Sequence, residues 1–374
     1  MFANGQTVIQ WMEQWAPKSL AYPDDKIGLQ LGTLNKEVKR VLVALDVTEA
    51  VVDEAIALGV DVIIAHHAII FRPLTHLRTD LPAGKLYEKC IKHDIAVYIA
   101  HTNLDITEGG VNHLLADALG LVDCVPLDET YSEQLYKLSV FIPHPDSERV
   151  RAAMFRAGAG FINGVSNYSH CSFNIAGNGT FLPLDGAKPH IGEVGQLESV
   201  EELRVEVVVG ERELKAVIRA MKDAHPYEEV AYDVVGLHNK GAKMGIGRVG
   251  RVLQAETLGQ CCERVKQAFS LDYVRVVGDL QSRVRKVAVL GGSGARFVGK
   301  AKFAGADVIV TGDIDHHTAH DALASGMCII DAGHHIESIL KAAVAARLQT
   351  SVSEQGYETE IIASALSTNP FRLV

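Results

Sequence analysis

Two adjacent histidines follow a short apolar stretch near the start of the chain. The stretch Asp61–Ala65, DVIIA, leads directly into His66 and His67. A Val/Ile run without polar interruption is typical of a strand that is buried on both faces of a parallel sheet. Open α/β sheets bind ligands at the carboxyl ends of their strands, and imidazole is the commonest metal-binding side chain. The pair therefore predicts a metal site, which other imidazoles and carboxylates must complete.

Two further stretches supply groups of that kind. His101 and Asp105 lie in AHTNLD, which follows another predicted buried strand. His334 and Glu337 lie in GHHIES, three residues apart, so they share a face if a helix begins at Gly333. Each stretch thus adds one imidazole and one carboxylate to the predicted site.

The predicted metal ligands are three imidazoles and two carboxylates, namely His66, His67, Asp105, His334 and Glu337. This set suits Zn, Mn, Fe or Mg rather than a metal that is selected by thiolates. Five protein ligands are too many for one catalytic metal with an open position, so we predict two divalent metal ions per subunit. His101 and His317 are predicted catalytic residues that transfer protons. The alternative for both is a hydrogen-bonded polar residue at the end of a strand or helix.

The elements that must position these groups alternate between strand and helix. Lys39–Asp46, Asp61–Ala65 and Ile95–Ile99 are predicted strands, and Thr48–Leu58 and Gly84–His93 are predicted helices. The order β-α-β-α-β predicts a parallel sheet with right-handed crossovers.

A later segment repeats this pattern. KRVLVALD…ALGVDVIIAHH aligns without a gap on RKVAVLGG…FAGADVIVTGD, with an offset of 246 residues (287 − 41). At a second offset of 232 (337 − 105), Asp105 falls on Glu337. We infer two related α/β halves that form one core, with Asp105 facing Glu337 across a pseudo-twofold axis. The alternative is chance similarity between buried Val/Ile strands.

The segment between the two halves has a different pattern. Its predicted elements are a strand Leu135–Ile142, a helix Ser147–Ala157, a hairpin Tyr168–Leu182, a strand Leu203–Val209, a helix Glu211–Ala224 and a strand Glu229–Val235. The order β-α-β-β-α-β predicts a ferredoxin-like α+β domain. We therefore predict residues 1–127 as the first half of the core, 128–241 as the inserted domain, and 242–374 as the second half.

Three polar motifs allow two interpretations each. The glycine-rich GGSG at 291–294 follows a strand and could cradle an anion with its amides, or it could be a tight turn. Asp313 and Asp315 could be further ligands, or they could cap a helix. HPYEE at 225–229 is predicted to be surface or interface structure.

Composition restricts the class of protein. The 374 residues are 48% hydrophobic with a net charge of −10, which suits two or three packed domains and argues against dedicated nucleic-acid binding. No segment is predicted to cross a bilayer, and the N-terminal residues do not have the pattern of a signal peptide. Six cysteines without a CxxC pair predict reduced thiols in the cytoplasm.

Taken together, AHH, AHTNLD, TGD…HH and GHHIE resemble the YbgI/YqfO-like family (NGG-interacting factor three-like), whose members are catalogued as GTP cyclohydrolase 1 type 2 homologues. The resemblance covers both α/β segments. It implies an α/β core around a dinuclear metal centre and a toroidal homohexamer. It also implies that the insert is PII/CutA-like, as in the long members. The family's ligand pattern falls on the five residues that spacing and repeat had indicated.

Two functional hypotheses remain open after the sequence. The first is a metal-dependent hydrolase that acts on a small nucleotide-like or heterocyclic substrate, by cyclohydrolase or phosphoester chemistry. The second is a non-enzymatic metal-binding regulator or scaffold, which a PII/CutA-like insert would favour. A purely structural α/β protein would require the clustered histidines and acids to be coincidental.

Overall fold

The computed structural model describes residues 1–161 and 167–372, and its architecture is mixed α/β. The chain forms two compact units: a core unit, Met1–Thr130 with Met244–Val374, and an insert unit, Tyr131–Lys243. The chain enters and leaves the insert unit within two long strands, Val122–Pro143 and Tyr232–Thr257. Among the described residues, no helix has the length and apolar character that crossing a membrane requires.

Helices and strands follow one another along three parts of the chain. The first part contains β1 (Ala3–Asn4), α1 (Gly5–Trp15), β2 (Gly28–Leu31), β3 (Glu37–Val38), β4 (Arg40–Ala44), α2 (Glu49–Leu58), β5 (Val62–Ala65), α3 (Pro82–Lys92), β6 (Ala96–Ile99), α4 (Thr102–Ile106) and α5 (Val111–Ala118). The middle part contains β7 (Val122–Pro143), α6 (Ser147–Arg156), β8 (Ser172–Phe181), β9 (Glu198–Gly210), α7 (Leu214–Ala224) and β10 (Tyr232–Thr257). The last part contains α8 (Leu258–Phe269), β11 (Arg275–Val277), β12 (Arg283–Ser293), α9 (Val298–Phe303), β13 (Val308–Gly312), α10 (His316–Ser325), β14 (Cys328–Asp331), α11 (Leu340–Glu354) and β15 (Glu360–Ala363).

Two sheets organise the core unit. The first has the strand order β15-β4-β5-β6-β2, and all its pairs are parallel except β2 with β6. In the second, β12, β13 and β14 are parallel neighbours, flanked by β11 and by the end of β10, which both pair antiparallel. The three central strands of each sheet therefore end at the same edge, where ligand sites of α/β sheets form.

The pairing registers of the two sheets repeat with the offsets found in the sequence. Val41 pairs with Val62 between β4 and β5, and Val287 pairs with Val308 between β12 and β13, a shift of 246 for both partners (287 − 41, 308 − 62). The pairing of β5 with β6 recurs between β13 and β14 at the second offset, 232 (328 − 96). The two halves thus share their strand alignment as well as their residue pattern.

Apolar side chains of both sheets form one continuous hydrophobic cluster. Val43 and Ile64 of the first sheet belong to it, together with Val289 and Val310 of the second. Alternate residues such as Ile63 point to the opposite face of the first sheet, into a separate cluster under α2 and α3. Since both faces are covered, these strands consist of buried Val and Ile without polar interruption, as in other parallel sheets.

The insert unit packs two helices on one face of an antiparallel sheet. β9 pairs with both β7 and β8, and the buried cluster includes Val140 and Val207 from the strands with Met154 and Met221 from the helices. The predicted element order β-α-β-β-α-β is present. In HPYEE, His225 and Tyr227 are structural, because the imidazole hydrogen-bonds the Phe141 carbonyl and the backbone N–H of Tyr227.

In the insert unit, one sequence-based element prediction was wrong and another had the wrong bounds. The predicted hairpin Tyr168–Leu182 is a single strand, β8, which pairs with β9 along its whole length. The predicted strand Glu229–Val235 is confirmed from Tyr232 onward, but β10 continues to Thr257. Asn and Gly residues suggested the turn of a hairpin, but pairing with β9 keeps the backbone of β8 extended, because local strand and turn preferences are weaker than tertiary context.

Candidate metal centre

Four elements of the core unit bring the candidate ligands together. His66 and His67 follow β5, and His101 and Asp105 follow β6, with Asp105 inside the short helix α4. The remaining two groups lie in a 3₁₀ helix, His334–Ile339, that follows β14. Residues three apart eclipse one another in a 3₁₀ helix, so His334 and Glu337 share a face. All six groups thus lie beyond carboxyl ends of parallel strands.

The ligand atoms fall into three overlapping groups, each within 4.8 Å: His66 with His67 and His101, His67 with His334 and Glu337, and His66 with Asp105 and Glu337. Glu337 belongs to two of the groups through its two different oxygens. Its Oε2 lies 3.2 Å from His67 Nε2 and 3.3 Å from His334 Nε2, while its Oε1 lies 3.8 Å from His66 Nε2. A carboxylate so placed can face two ions at once.

Every imidazole in these groups is held through its Nδ1 atom. The acceptors, at 2.7 to 2.9 Å, are the Ala100 carbonyl for His66, Asp46 for His67, Asp25 for His101 and Asp313 for His334. A carbonyl oxygen only accepts, so the Nδ1–H of His66 donates. If His67, His101 and His334 also carry their proton on Nδ1, the Nε2 atoms of all four imidazoles present lone pairs toward one another. Metal-ligating histidines are commonly fixed in this way by a carboxylate or a carbonyl.

Two buried polar atoms at the centre have no hydrogen-bond partner. They are Nε2 of His66, which is 0% exposed, and Oδ1 of Asp105, which is 6% exposed. The two atoms are 3.6 Å apart, too far for a hydrogen bond. An unsatisfied buried polar group costs about 1–3 kcal/mol. A cation between a nitrogen lone pair and a carboxylate oxygen would satisfy both atoms, so the residues present fit a divalent metal.

The two carboxylates have opposite protonation preferences. Burial raises the pKa of Asp105, and the negative charge of Glu337 adds to that effect. Burial also acts on Glu337, but the hydrogen bonds with His334 and His67 outweigh it and hold the pKa well below its usual range. Without metal, Glu337 is therefore the anion that the imidazoles surround.

The imidazoles that face Glu337 attract protons in the absence of metal. Burial opposes the charge on His67, yet the carboxylates of Asp46 and Glu337 raise its pKa to about 10. For His334, the hydrogen bond with Glu337 is the largest influence, and it raises the pKa to about 9 against burial. Protons thus occupy, in the metal-free protein, the positions that a cation would take.

The glycine-rich segment at 291–294 packs directly against a candidate ligand. A Cβ atom on Gly292 would lie 2.7 Å from Oε1 of Glu337, and one on Gly291 would lie 2.9 Å from its Cγ. The N–H of Gly291 donates to Asn112 Oδ1, and that of Gly294 donates to the Gly312 carbonyl. Close approach to Glu337 therefore explains these glycines, and at least two of the amides are already bonded within the protein.

The structure separates the sequence-predicted site residues into those it brings together and one it does not. His66, His67, Asp105, His334 and Glu337 meet at the centre, and His101 joins them. His317 lies exposed in the first turn of α10, where its described ring contact is with His316. It belongs to none of the ligand groups of the described residues.

Three acidic residues near the centre were missed or left open by the sequence analysis. Asp25 and Asp46 were not singled out, although Asp46 lies two residues after the end of β4, as His67 does after β5. Asp313 was left open between ligand and cap. It orients His334 from a left-handed conformation with φ 58°. Asp315 is the N-cap of α10, which its hydrogen bonds from the N–H groups of His317 and Thr318 show.

Comparison with known proteins gives matches over the whole length. The model of the family described as Duf34/NIF3 (NGG1p interacting factor 3) matches residues 3–370. A relative from Halalkalibacterium halodurans, named GTP cyclohydrolase 1 type 2 homolog, is 53% identical over 372 residues, 100% of this chain and 99% of the relative. One of the same name from Bacillus subtilis is 52% identical over 368 residues, 98% of each chain. The crystal structure of a Bacillus cereus protein related to NIF3 superposes with a TM-score of 0.94 at 51% identity, covering 100% of both chains.

Proposed function

We propose a function from one established premise, that the chain belongs to the Duf34/NIF3 family. The proposal is a metal-dependent hydrolase with a dinuclear centre, acting on a small nucleotide-like or heterocyclic substrate. The observation that carries it is the pair of orphaned buried atoms, His66 Nε2 and Asp105 Oδ1, among imidazoles whose Nε2 atoms converge. A buried polar cluster that is only partly satisfied is costly, so it indicates a bound partner.

Two ions fit the groups better than one. The group of His66, Asp105 and Glu337 and the group of His67, His334 and Glu337 share only Glu337, which offers one oxygen to each. Glu337 would thus supply one carboxylate oxygen to each of two divalent ions, with Zn, Mn, Fe or Mg as candidates. Such ions, when bound, supply a water of lowered pKa and a Lewis acid that polarises the substrate.

His101 is the proposed proton-transfer residue of the site. Its side chain is one-third exposed, while that of His66 is fully buried, so His101 lies nearer to solvent. Burial disfavours its protonated form, but the hydrogen bond with Asp25 raises its pKa. The same ring belongs to a ligand group, and it can therefore serve as a further ligand. His317 is the second candidate for proton transfer. Because it lies exposed on α10, its proposed role is to exchange protons with solvent.

Two reactions are open to a centre of this kind. The relatives are named GTP cyclohydrolase 1 type 2 homologs. In that chemistry one water adds to the carbon of the purine imidazole ring and opens the ring to a formamide, and a second water hydrolyses the formamide to release formate. Hydrolysis of a phosphoester would use the same groups, since it too requires an activated water and stabilised oxyanions.

The alternative is a non-enzymatic metal-binding regulator or scaffold. The observation that favours it is the insert unit, which has its own hydrophobic cluster and is not required to assemble the metal ligands. If this unit is PII/CutA-like, as the sequence suggested, it would sense a small molecule or promote assembly. We also propose, from the family resemblance, a toroidal homohexamer in the cytoplasm, where the six free thiols would stay reduced.

A turnover screen tests the hydrolase proposal. Metal-loaded protein and its Glu337→Gln variant are incubated with nucleoside triphosphates, phosphoesters and cyclic amides, and products are identified by mass spectrometry. Turnover by the native protein that is lost in the variant is the expected result. Absence of turnover across the panel, with two metals bound per chain, would favour the regulator instead.

A further inference from the structure

Two chain segments, one from each half of the core unit, touch the candidate metal centre and then meet each other at its rim. The first contains Tyr22, whose N–H donates to Thr102 Oγ1 at 3.0 Å. The Thr102 hydroxyl donates to Asp25, and the same carboxylate accepts from Nδ1 of His101. Tyr22 is thus tied, through two hydrogen-bonded side chains, to a member of the ligand groups.

The second segment leaves the centre at Gly292, where an added Cβ would lie 2.7 Å from Oε1 of Glu337. Four residues later, the guanidinium of Arg296 lies 5.5 Å from the ring centroid of Tyr22 and 4.8 Å from that of Phe297. Arginine stacked on aromatic rings is held in a fixed plane, with its donors facing outward. The Tyr22–Arg296 contact therefore presents an oriented cation beside the centre.

The charge of Arg296 is not neutralised within the described part of the chain. Its side chain is exposed, and no described carboxylate lies within ion-pair distance of it. The nearby Asp128 is paired with Lys300 instead. Burial is the largest influence on the pKa of Tyr22 and raises it, and the negative charges of Asp128 and Asp105 raise it further. The positive charge of Arg296 opposes this rise. The Tyr22 hydroxyl is thus within electrostatic reach of both Arg296 and a candidate metal ligand.

We propose that Arg296, oriented by Tyr22, binds a phosphate group of the substrate at the rim of the metal centre. An arginine fork matches two oxygens of a phosphate, and a pair of charge-assisted hydrogen bonds gives both affinity and orientation. The substrate class is then a phosphorylated small molecule whose reacting part reaches the centre while its phosphate stays at Arg296. This assignment rests on the proposed function, because it places the substrate at the same centre.

Calorimetric binding of guanosine 5′-monophosphate and of guanosine tests the assignment, since the two probes differ only by the phosphate. Manganese-loaded native protein is compared with Arg296→Gln, Arg296→Lys and Tyr22→Phe. The control is Arg285→Gln, which removes an exposed arginine at the start of β12. Metal content is measured for each protein by elemental analysis, independently of nucleotide binding.

Arg296→Gln should bind the monophosphate about ten- to a hundredfold more weakly, while guanosine binding and metal content stay unchanged. Arg296→Lys should recover part of the loss, Tyr22→Phe should retain the stack, and Arg285→Gln should bind as the native protein does. Equal affinity of Arg296→Gln and native protein for the monophosphate would overturn the assignment, and so would the absence of monophosphate binding to metal-loaded native protein. Failure of the proposed function gives a different result, namely native protein that does not retain metal or that binds both probes without turnover.

Discussion

At the scale of residues, the centre depends on which atoms remain unpaired. Nδ1 of each imidazole is engaged by an oxygen, and the Nε2 atoms of His66, His67 and His334 converge around Glu337. His66 Nε2 and Asp105 Oδ1 are buried without any partner. Since a buried unpaired group is unfavourable, the arrangement is more stable with a cation than without one.

Removing either carboxylate should remove the metal. We expect about two divalent metals per chain in the native protein, and their loss in Asp105→Ala and Glu337→Ala, because each variant deletes one of the two proposed carboxylate ligands. Elemental analysis and circular dichroism measure metal content and folding. Asp321→Ala, an exposed acid on α10, is the matched control and should keep both metals. Full metal content in both ligand variants would refute the assignment.

Metal binding should release protons and strengthen as the pH rises. The metal-free protein holds protons on His67, with a pKa of about 10, and on His334, with a pKa of about 9. A metal requires the neutral imidazoles, so it displaces those protons, and its affinity should rise from pH 7 and level off near pH 10. Calorimetry in two buffers of different ionisation enthalpy measures the proton count. An affinity that does not change over this range would contradict these pKa values.

The residues that orient the imidazoles should also influence metal affinity. Asp46 and Asp313 contact no other ligand group directly, but each holds one ring through Nδ1. Asp46→Ala or Asp313→Ala should weaken metal binding by about 10–100-fold, the usual effect of losing such a partner. Competition with a chelator measures the affinity. Asp315→Ala removes only the cap of α10, so it should lower stability by about 1 kcal/mol and leave affinity unchanged.

At the scale of elements, both halves use the same device to place their strands. The Asp61 carboxylate accepts backbone N–H groups at positions 39 and 40, and Asp307 accepts those at 285 and 286. These contacts fix the position of β4 relative to β5 and of β12 relative to β13. The strands end in different residues, however. His67 of the first half corresponds to Asp313 of the second (313 − 246), so the halves contribute unlike groups to one site.

Gly292 should be required for the site because β12 must approach Glu337. In Gly292→Ala the new Cβ would lie 2.7 Å from Oε1, and the positive φ of 66° adds backbone strain of about 1–3 kcal/mol. We expect lower stability to urea and weaker metal binding. Gly299→Ala in α9 is the control, since a Cβ there meets nothing and should change stability by no more than about 1 kcal/mol. Native-like metal affinity in Gly292→Ala would contradict this role.

At the scale of the whole molecule, the core unit contains every candidate ligand, and the insert unit has a separate hydrophobic cluster. Unfolding should therefore show two transitions instead of one. Removing the metal with a chelator should lower the midpoint temperature of the core unit's transition only, because a ligand stabilises the state that binds it. Met221→Ala, in the buried cluster of the insert unit, should affect only the other transition. It should reduce the free energy of unfolding of the insert unit by about 2–5 kcal/mol. Scanning calorimetry with and without chelator measures both. If only one transition is seen, and chelation and Met221→Ala shift it equally, the two units unfold together.

The sequence by itself determined the family and the repeated α/β pattern. The family match confirms the resemblance that the motifs indicated, and the repeat offsets reappear in the strand registers. Strands buried on both faces can be predicted because their apolar residues are local and continuous, and polar residues at their ends stand out against them. For the same reason His66, His67 and Asp105 could be singled out before their spatial arrangement was known.

Only the tertiary structure decided which polar groups meet. Three of the imidazoles are each held by an acidic residue from a different segment of the chain. Asp46 and Asp313 lie 21 residues before the histidines that they hold, and Asp25 lies 76 residues before His101. No local sequence pattern marks these pairings. His317 has the same sequence context as a ligand, yet the N-cap at Asp315 starts α10 there and leaves the ring exposed. β8 and the long β10 were likewise set by their partners. Periodicity records burial, whereas hydrogen-bond partners depend on the packing of distant segments.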